Sequence, residues 1–344
     1  MVHDTCATAS EEAVINGEGP MSRLSIIREQ HGDDTIYREA GRRITSAREI
    51  ARIDALAIPP AWTDVEIARS SSAKVLARGI DDAGRRQAIY SPAYRRRQEK
   101  KKYARILRFA ERLPRLRKQV EHDLRRRRIS EDKVVACIVK LIDQEFFRVG
   151  NPEYARKYSH YGITTLRRKH TDVSSSKVTF DFVGKSGKRH VKTVRDPQIV
   201  RIIRQLNEMP GHEIFRFFDE DGIIRDVDSK RVNAYVKKHM GSEFSVKDFR
   251  TWGGTLLATS ALLASEQDED AEDAAIVRDV VADVAERLGN TPTVTKDSYI
   301  DPRVFTAFED GATIPEVRRA MGRMRPRKYL TVEEQCVLKV LRKR

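Results

Sequence analysis

Residues 178–194 read VTFDFVGKSGKRHVKTV, and this stretch decides the fold class because the spacing of apolar residues changes within it. Val178, Phe180 and Phe182 alternate with residues of the opposite face, which is the period-2 pattern of a half-buried strand. A Gly-Lys-Ser-Gly-Lys turn follows and contains Lys185, after which a second extended segment begins. The stretch therefore predicts a β-hairpin with a lysine at or near its tip.

The sequence on either side of this hairpin has the 3.6-residue period of amphipathic helices. Ser130 is the predicted N-cap of one such helix, which Gly150 and Pro152 are expected to end. Asp196, followed by proline, is expected to begin the next helix. A basic helix is predicted to follow a hinge at residues 95–102. Further helices are predicted at residues 229–240, 247–264 and 271–288.

The N-terminal part has a different pattern, with one helix and several short extended segments. Residues 1–20 lack periodicity and are interpreted as a disordered leader. Ser46 is the predicted N-cap of a helix that ends before Pro59. Short strands are predicted at residues 65–68, 73–79 and 87–90, the last two joined by a turn at 81–84. We therefore predict an α+β protein, with a small β-rich domain at residues 21–98 and a larger, mainly α-helical domain with a β-hairpin at residues 99–344.

Positive charge is concentrated in one part of the chain. The 344 residues carry a net charge of +15, and residues 95–128 contain 16 basic and 4 acidic residues, a local net charge of +12. Residues 266–286 have the opposite character, with 9 acidic residues against Arg278. Localised positive charge favours a polyanionic partner over general solubility, and the acidic segment is interpreted as a solvated helix face that points away from that partner.

Cysteine usage and hydropathy exclude several classes of protein. Cys6, Cys137 and Cys336 are scattered and have no partner at metal-ligand spacing, so neither a disulfide framework nor a zinc site is expected. No apolar run approaches the ~20 residues that span a bilayer, and no signal peptide is evident. A protein of the reducing cytoplasm is predicted, with no membrane contact and no cofactor.

Residues 288–300, LGNTPTVTKDSYI, place Tyr299 shortly after a Gly-Asn-Thr-Pro turn. A phenol is a weak nucleophile at neutral pH because its pKa is about 10. It becomes effective against a phosphodiester when fixed cations stabilise the charge that develops on phosphorus. Arg148, Arg250 and the amide of Asn290 are candidates for that stabilisation, since a guanidinium stays charged and can engage two phosphate oxygens at once. These residues can form a metal-free site for attack on a phosphodiester.

Four motifs occur in one order along the chain: RVGN at 148–151, FVGK at 182–185, KDFRTW at 247–252, and GNTP at 289–292 followed by Tyr299. Together they closely resemble the poxvirus-type branch of the type IB DNA topoisomerases, in its bacterial form, of which the deinococcal enzyme is an example. Two N-terminal segments resemble the same family: LAIPPAWTDV at 56–65 and GRRQ at 84–87. The resemblance covers residues 35–302 or so, most of the chain.

The resemblance implies that Tyr299 is the nucleophile that attacks one DNA strand, leaving a 3′-phosphotyrosyl link and a free 5′-hydroxyl. This transesterification conserves the energy of the phosphodiester, so religation is expected to need neither ATP nor a metal ion. Arg148 and Arg250 are implied to hold the scissile phosphate. Arginines at helix ends often bind backbone carbonyls instead, but the contexts of Gly150 and of residues 251–253 argue against that role here.

Two lysines receive roles from the same resemblance. Lys185 is the implied general acid, which protonates the leaving 5′-oxygen when the hairpin enters the minor groove of bound DNA. Lys188, nearby, is interpreted as a solvated turn lysine. Lys247 lies three residues before Arg250, so the two side chains are expected to share a helix face, and a supporting role is implied for Lys247.

Asn290 departs from the histidine that viral and eukaryotic relatives usually have at this position. A neutral amide cannot supply a proton at neutral pH, but it can donate a hydrogen bond to a non-bridging oxygen. Asn290 is therefore expected to bind the transition state. The group that accepts the proton of Tyr299 is left open between water and a phenolate favoured by the nearby arginines.

The resemblance also implies contacts with duplex DNA, with the N-terminal domain binding DNA and the C-terminal domain acting in catalysis. Gln87 matches a base-contacting glutamine and Tyr90 keeps an aromatic position, whereas Ala88 replaces a tyrosine and weakens the case for a viral-like sequence preference. The basic residues expected to bind the DNA backbone are Arg95, Arg96, Arg97, Lys100, Lys101 and Lys102. A monomer associated with the nucleoid, closing as a clamp around DNA in a strongly salt-dependent way, is predicted.

Two other interpretations explain part of the pattern. A tyrosine recombinase uses a similar set of arginines, lysine and tyrosine, but joins two duplexes within a tetramer. The segment around Pro59 and the turn at residues 289–292 favour the topoisomerase. A DNA-binding protein without catalysis would explain the charge but not the ordered motifs. A covalent link between Tyr299 and DNA separates the enzymes from the binding protein.

Overall fold

A computed structural model describes residues 24–31, 34–265 and 273–343. The chain divides into two compact units, Met1–Lys102 and Tyr103–Arg344. The predicted leader at residues 1–20 and the beginning of the acidic segment lie outside the described residues. In the part of the chain that is described, no helix combines the length and the apolar character needed to cross a membrane.

The first unit is built on an antiparallel sheet of six strands. They are β1 (Leu24–His31), β2 (Asp34–Glu39), β3 (Arg42–Arg43), β4 (Thr63–Ala68), β5 (Val75–Ile80) and β6 (Arg86–Tyr90), in the order β3-β2-β1-β4-β5-β6. Ile26, Val65 and Ile67 are buried in a core to which helix α1 (Ala47–Asp54) contributes Ile53. β-Branched side chains suit such a pleated, half-buried surface. The β-rich character predicted for this part is confirmed.

The cap and the turn predicted from the sequence of the first unit are present in the structure, but its first two strands were not predicted. Ser46 caps α1 and accepts a hydrogen bond from the backbone N–H of Glu49. The predicted turn is present, since the N–H of Gly84 donates to the carbonyl of Asp81 at 2.8 Å. The hairpin of β1 and β2 is missing from the predicted segments. Its strands contain few apolar residues, so their alternation is a weak signal.

A 33-residue helix, α2 (Pro92–Leu124), occupies the place of the predicted hinge. Residues 95–102 lie inside this helix, so the basic helix begins earlier than predicted, while the hinge stays a prediction. The stretch is dominated by Arg, Lys, Gln and Glu, which are strong helix formers, and no glycine interrupts them. Further along α2, the apolar residues Ile106, Phe109 and Leu113 are buried, in agreement with the predicted helical period.

The second unit is mainly helical. Its helices after α2 are α3 (Glu131–Glu145), α4 (Pro152–Tyr158), α5 (Pro197–Glu208), α6 (Ser229–Met240), α7 (Val246–Ala264), α8 (Asp273–Leu288), α9 (Pro292–Tyr299), α10 (Pro302–Glu309), α11 (Thr313–Met321) and α12 (Val332–Arg342). Antiparallel sheets are formed by β7 (Thr171–Val173), β8 (Val178–Val183) and β9 (Arg189–Val194), and by β10 (Arg216–Phe218) and β11 (Ile224–Asp226). The α+β class is therefore confirmed.

The predicted hairpin is present as β8 and β9. Its turn is a short 3₁₀ segment, Lys185–Gly187, which places Lys185 at the tip. Phe180 and Phe182 are buried and pack against Phe147, with ring centroids 5.3 and 5.9 Å apart from it. These aromatic contacts attach the hairpin to the segment that follows α3.

Helix α3 ends earlier than the sequence suggests. Its last residue is Glu145, and Phe146 adopts the left-handed conformation with a φ of 55°. The prediction that the helix continues to Gly150 is wrong, because it relied on the next glycine and proline rather than on a non-glycine residue with positive φ. Ser130 occupies the predicted N-cap position but its side chain makes no capping hydrogen bond. A short non-helical segment therefore carries Arg148 between α3 and α4.

An ion-pair network in the interior of the second unit supports α7. Arg117 of α2 donates to Asp143 of α3 at 2.7 and 3.0 Å, and to Glu334 of α12 at 2.8 and 2.7 Å. The indole N–H of Trp252, on α7, donates to the same Glu334 carboxylate at 3.4 Å. Burial raises the pKa of Glu334, but the hydrogen bonds and the charge of Arg117, together with hydrogen bonds from Thr331 and Trp252, outweigh burial, so the pKa lies below its ordinary value and the carboxylate stays charged. Three helices, α2, α3 and α12, thus meet at α7, the helix that also carries Arg250.

Candidate active site

Tyr299 is the last residue of α9, and the local sequence explains why this helix is short. Thr291 caps it by accepting a hydrogen bond from the backbone N–H of Val294, and Pro292 occupies its first turn. The helix packs against α7, where Gly254 faces the backbone of Tyr299. The half-buried Tyr299 side chain is thereby held beside the N-terminal part of α7.

Arg250 is the fifth residue of α7 and is buried. Its guanidinium carbon is 5.1 Å from the centre of the Tyr299 ring. The two terminal nitrogens donate to the carbonyls of Phe146 and Leu288, both at 2.7 Å, while Nε has no partner among the described residues. Binding of backbone carbonyls, which the sequence context argued against, is therefore what Arg250 does. A guanidinium has five N–H donors, so these two bonds still leave donors for a phosphate.

The side chains of Arg148 and Asn290 form a direct hydrogen bond. The Nη2 atom of Arg148 donates to the side-chain oxygen of Asn290 and, at 3.2 Å, to the carbonyl of Gly289. The side-chain nitrogen of Asn290 is buried and has no partner in the described part of the chain. Because its oxygen is occupied by Arg148, the amide is oriented with its N–H₂ group available as a donor.

The hairpin brings further cationic groups to this place. Lys185 and Lys192 line one small cavity together with Arg148, Arg250 and His190. Lys185 is exposed on the hairpin turn, whereas Lys192 and His190 are half-buried on β9. The sequence reasoning identified Lys185 and missed the other two. The period-2 pattern of β9 contains the signal, since positions 190, 192 and 194 share one face and Val194 is buried.

Burial of several cations together governs the electrostatics of the site. Burial lowers the pKa of Arg250 to about 10, and Arg148 lowers it further, while the neighbouring Tyr299 acts in the opposite direction. Burial also lowers the pKa of Arg148. His190 has a pKa lowered to about 4, by burial first and then by Arg148 and Lys192, so its ring is neutral at pH 7. Such a group of cations is suited to bind a phosphate.

Lys247 is separated from this group. It is exposed in the first turn of α7, whereas Arg250 is buried one turn later, so the two side chains differ in burial although they are three residues apart on one helix. The helix was predicted correctly, but position i, i+3 near a helix N-terminus does not give both side chains the same environment. Among the described residues that line the small cavity with Arg148 and Arg250, Lys247 is not present.

The residues expected to contact DNA in the first unit are accessible to different degrees. Gln87 is half-buried on β6 and donates to the Asp81 carboxylate at 2.9 Å. Tyr90 is exposed and stacks on Tyr94, with ring centroids 5.2 Å apart. On α2, the exposed basic residues are Arg95, Arg96, Arg97, Lys100 and Lys101, and Lys102 is half-buried. These positions form part of the basic helix surface.

Cysteines and acidic residues do not form a metal centre in the described ranges. Cys137 and Cys336 are buried and unpaired. Within residues 24–31, 34–265 and 273–343, no three His, Cys, Asp or Glu side chains are grouped so that they could hold a metal ion.

Replacing Gly254 by alanine is expected to displace Tyr299. A Cβ atom at this position would lie 2.5 Å from the backbone oxygen of Tyr299, so one of the two helices has to shift. Overpacking of this kind costs about 1–3 kcal/mol, and the tyrosine moves with the backbone. We expect a lower melting temperature and a lower rate of DNA cleavage. The control is Gly322→Ala, where the nearest atom is 4.0 Å away, and an equal loss in both variants would contradict the argument.

Two family models match the chain. The model described as the catalytic core of eukaryotic DNA topoisomerase I matches residues 91–318. The model described as the N-terminal domain of bacterial DNA topoisomerase IB matches residues 36–81. The two matches together account for most of both compact units.

Named relatives agree with these models. The chain is 34% identical over 285 residues to DNA topoisomerase 1B of Acanthamoeba polyphaga mimivirus, covering 80% of this chain and 84% of the relative. It is 21% identical over 260 residues to DNA topoisomerase I of monkeypox virus, covering 74% of this chain and 80% of the relative. The matches define an isomerase that acts on DNA. The chain belongs to the DNA topoisomerase IB family, and the resemblance of its motifs to type IB topoisomerases is confirmed at that level.

Proposed function

We propose that this type IB topoisomerase relaxes supercoiled duplex DNA with Tyr299 as nucleophile and Arg148, Arg250 and Asn290 as the groups that bind the scissile phosphate. The observation that carries the proposal is the set of unused donors near the phenol. The side-chain nitrogen of Asn290 and Nε of Arg250 are buried and unpartnered among the described residues. Buried donors without a partner are costly, and phosphate oxygens would satisfy them.

The reaction is a pair of transesterifications. The Tyr299 oxygen attacks phosphorus, the bond to the 5′-oxygen breaks, and a 3′-phosphotyrosyl link forms. The phenol proton is lost to solvent or to a neighbouring base, while Lys185 on the hairpin supplies a proton to the leaving 5′-oxygen. After the nicked strand has swivelled, the 5′-hydroxyl attacks the phosphotyrosine and Lys185 takes the proton back. The phosphodiester energy is conserved, so supercoils of either sign relax without ATP.

The remaining groups would bind the DNA duplex around this centre. Two units closing as a clamp, with Gln87, Tyr90 and the basic stretch at residues 95–102 against the DNA, would hold the duplex during strand rotation. The local net charge of +12 at residues 95–128 supports this assignment. Lys247, exposed near the start of α7, would reach the DNA backbone rather than the scissile phosphate. We propose a monomer of the bacterial form acting at the nucleoid, and the match of residues 36–81 to the bacterial N-terminal model supports that form.

Relaxation of supercoiled plasmid in EDTA and without ATP is the experiment that tests this function. Wild-type protein is expected to yield relaxed topoisomers under these conditions and with either sign of supercoiling. A requirement for Mg²⁺ or ATP would overturn the mechanism. Relaxation should also fall steeply as salt increases, because each neutralised phosphate contributes about −0.9 to the slope of log binding constant against log salt.

Substitutions of Asn290 separate a donor role from a proton-transfer role. Asn290→Ala is expected to slow cleavage on the order of 10²-fold, since one donor to the transition state is lost. Asn290→Asp should be slower still, because a carboxylate next to Arg148 would repel the phosphate. Asn290→His should retain much of the activity, as a ring N–H can also donate. The measurement is single-turnover cleavage of a duplex oligonucleotide, and a faster Asp variant than Ala variant would contradict the donor role.

A further inference from the structure

Lys192 has no role in the reaction described above, although it lies at the same cavity. It is on β9, paired with Phe180 of β8, and it lines the cavity that also contains Lys185, Arg148 and Arg250. Its ammonium is 5.5 Å from the centre of the ring of Phe147, the residue that precedes Arg148 in the sequence. The side chain is therefore directed to the phosphate-binding group and not to solvent.

The charges around Lys192 are mostly of its own sign. The groups that face it are Glu145 from the end of α3, Arg148 from the segment after it, Arg250 from α7, Arg287 from α8, and Lys185 and His190 from its own hairpin. Burial lowers the pKa of Lys192, Glu145 raises it, and the three arginines lower it further. Burial in turn raises the pKa of Glu145, and Lys192 opposes that change.

Among the described residues, the Glu145 carboxylate is thus the single negative charge in a group of several cations that surround Lys192 in a partly buried site. A buried cation is stable only when it is paired with an anion. Glu145 and Lys192 have no direct hydrogen bond or ion pair within 4.0 Å in the described structure, so the carboxylate compensates the ammonium only by attraction at longer range. A phosphate bound between Arg148 and Arg250 would provide the missing negative charge.

We propose that Lys192 is a further catalytic residue of this topoisomerase, whose ammonium binds the scissile phosphate in the transition state while Glu145 serves as its counter-ion in the DNA-free enzyme. The inference rests on the proposed roles of Arg148, Arg250 and Tyr299. A lysine ammonium is a compact charge on a flexible stem, so it can move from the carboxylate towards the phosphate. Lys192 differs from Lys185 in its task, because it supplies charge to phosphorus and no proton to the leaving group.

The rate of single-turnover cleavage at saturating enzyme concentration tests whether Lys192 binds the phosphate in the transition state. Lys192→Met is expected to slow cleavage on the order of 10²-fold, and Lys192→Arg should retain most of the wild-type rate. Lys188→Met is the matched control, because it removes the same charge from an exposed position of the same hairpin. Melting curves of each variant give the folded fraction. Wild-type cleavage by folded Lys192→Met would overturn the proposal.

A leaving group that needs no proton distinguishes Lys192 from Lys185. A duplex with sulfur in place of the bridging 5′-oxygen, at a cleavage site mapped with the wild-type enzyme, expels a thiolate. This substrate should restore the cleavage rate of Lys185→Ala and leave the defect of Lys192→Met unchanged. Equal restoration of both variants would place Lys192 in proton transfer and overturn its assignment as a phosphate-binding group.

The pH profile and a nucleophile variant complete the test. As pH rises, the wild-type cleavage rate should fall when the Lys192 ammonium loses its proton, at a pH below the ordinary pKa range of lysine. Lys192→Arg should move this fall in rate to higher pH. Glu145→Gln should bind DNA at least as tightly as wild type, and weaker binding would contradict the counter-ion role. Tyr299→Phe is measured in parallel: cleavage by that variant would refute the proposed site, whereas an inactive Tyr299→Phe with an active Lys192→Met would refute only the role of Lys192.

Discussion

Tyr299→Phe is expected to abolish both plasmid relaxation and the covalent protein–DNA intermediate. The phenylalanine ring keeps the packing of α9 on α7 but has no oxygen to attack phosphorus. Loss of a nucleophile typically lowers the rate on the order of 10⁴-fold or more. Binding of duplex DNA and the melting temperature should stay close to wild type. The measurement is denaturing gel detection of the covalent adduct together with a relaxation time course.

The matched control is Tyr158→Phe. Tyr158 is an exposed tyrosine of the second unit, at the end of α4, and it stacks on the ring of His160. Removing its hydroxyl should leave relaxation unchanged. If Tyr299→Phe still forms a covalent adduct, another residue is the nucleophile and the proposed site is wrong.

Arg250→Ala is expected to have the second largest effect, and it should change both rate and stability. Loss of one cationic donor to the transition state costs on the order of 10²–10³ in rate. The carbonyls of Phe146 and Leu288 also lose their donors, and an unsatisfied buried acceptor costs about 1–3 kcal/mol. A lower melting temperature and slow cleavage should therefore appear together in this variant.

Two comparison variants separate these effects. Arg278→Ala removes an exposed arginine of α8 whose side chain is 75% accessible, and it should be neutral in both measurements. Arg250→Lys keeps a charge but has a single nitrogen, so it should recover less of the stability than of the rate. Cleavage is compared below the melting temperature of the least stable variant. A normal rate in folded Arg250→Ala would leave this arginine with a structural role only.

The parts of the fold that depend on neighbouring residues in the sequence were predictable. The hairpin at β8 and β9 follows from alternation and a glycine turn, and the cap of α1 follows from Ser46. Helix ends that are set by tertiary contacts could not be predicted from the sequence. Phe146 adopts a left-handed conformation at the end of α3, and Arg250 holds its carbonyl from a helix about a hundred residues away in sequence. No local pattern announces such a contact.

The site shows the same division. The order of the motifs is sufficient to select Tyr299, Arg148, Arg250 and Asn290 as candidates. In the structure the Arg250 guanidinium lies beside the Tyr299 ring, and Arg148 donates to the side chain of Asn290. The environments of single side chains were harder to predict, because burial depends on packing between elements distant in sequence. Lys192 looks like an ordinary strand lysine in the sequence, and only packing of β9 against the end of α3 reveals its surroundings.

The bonds from Arg250 to Phe146 and Leu288 have a consequence for the electric field of the site. Both carbonyls belong to the C-terminal ends of helices, α3 and α8, and each such end carries about half a negative elementary charge from the aligned peptide dipoles. Without compensation, two negative helix ends would repel an approaching phosphate. Arg250 binds both carbonyls and lies 5.1 Å from the Tyr299 ring, so one side chain offsets the negative charge of two helix ends where the nucleophile has to meet its substrate.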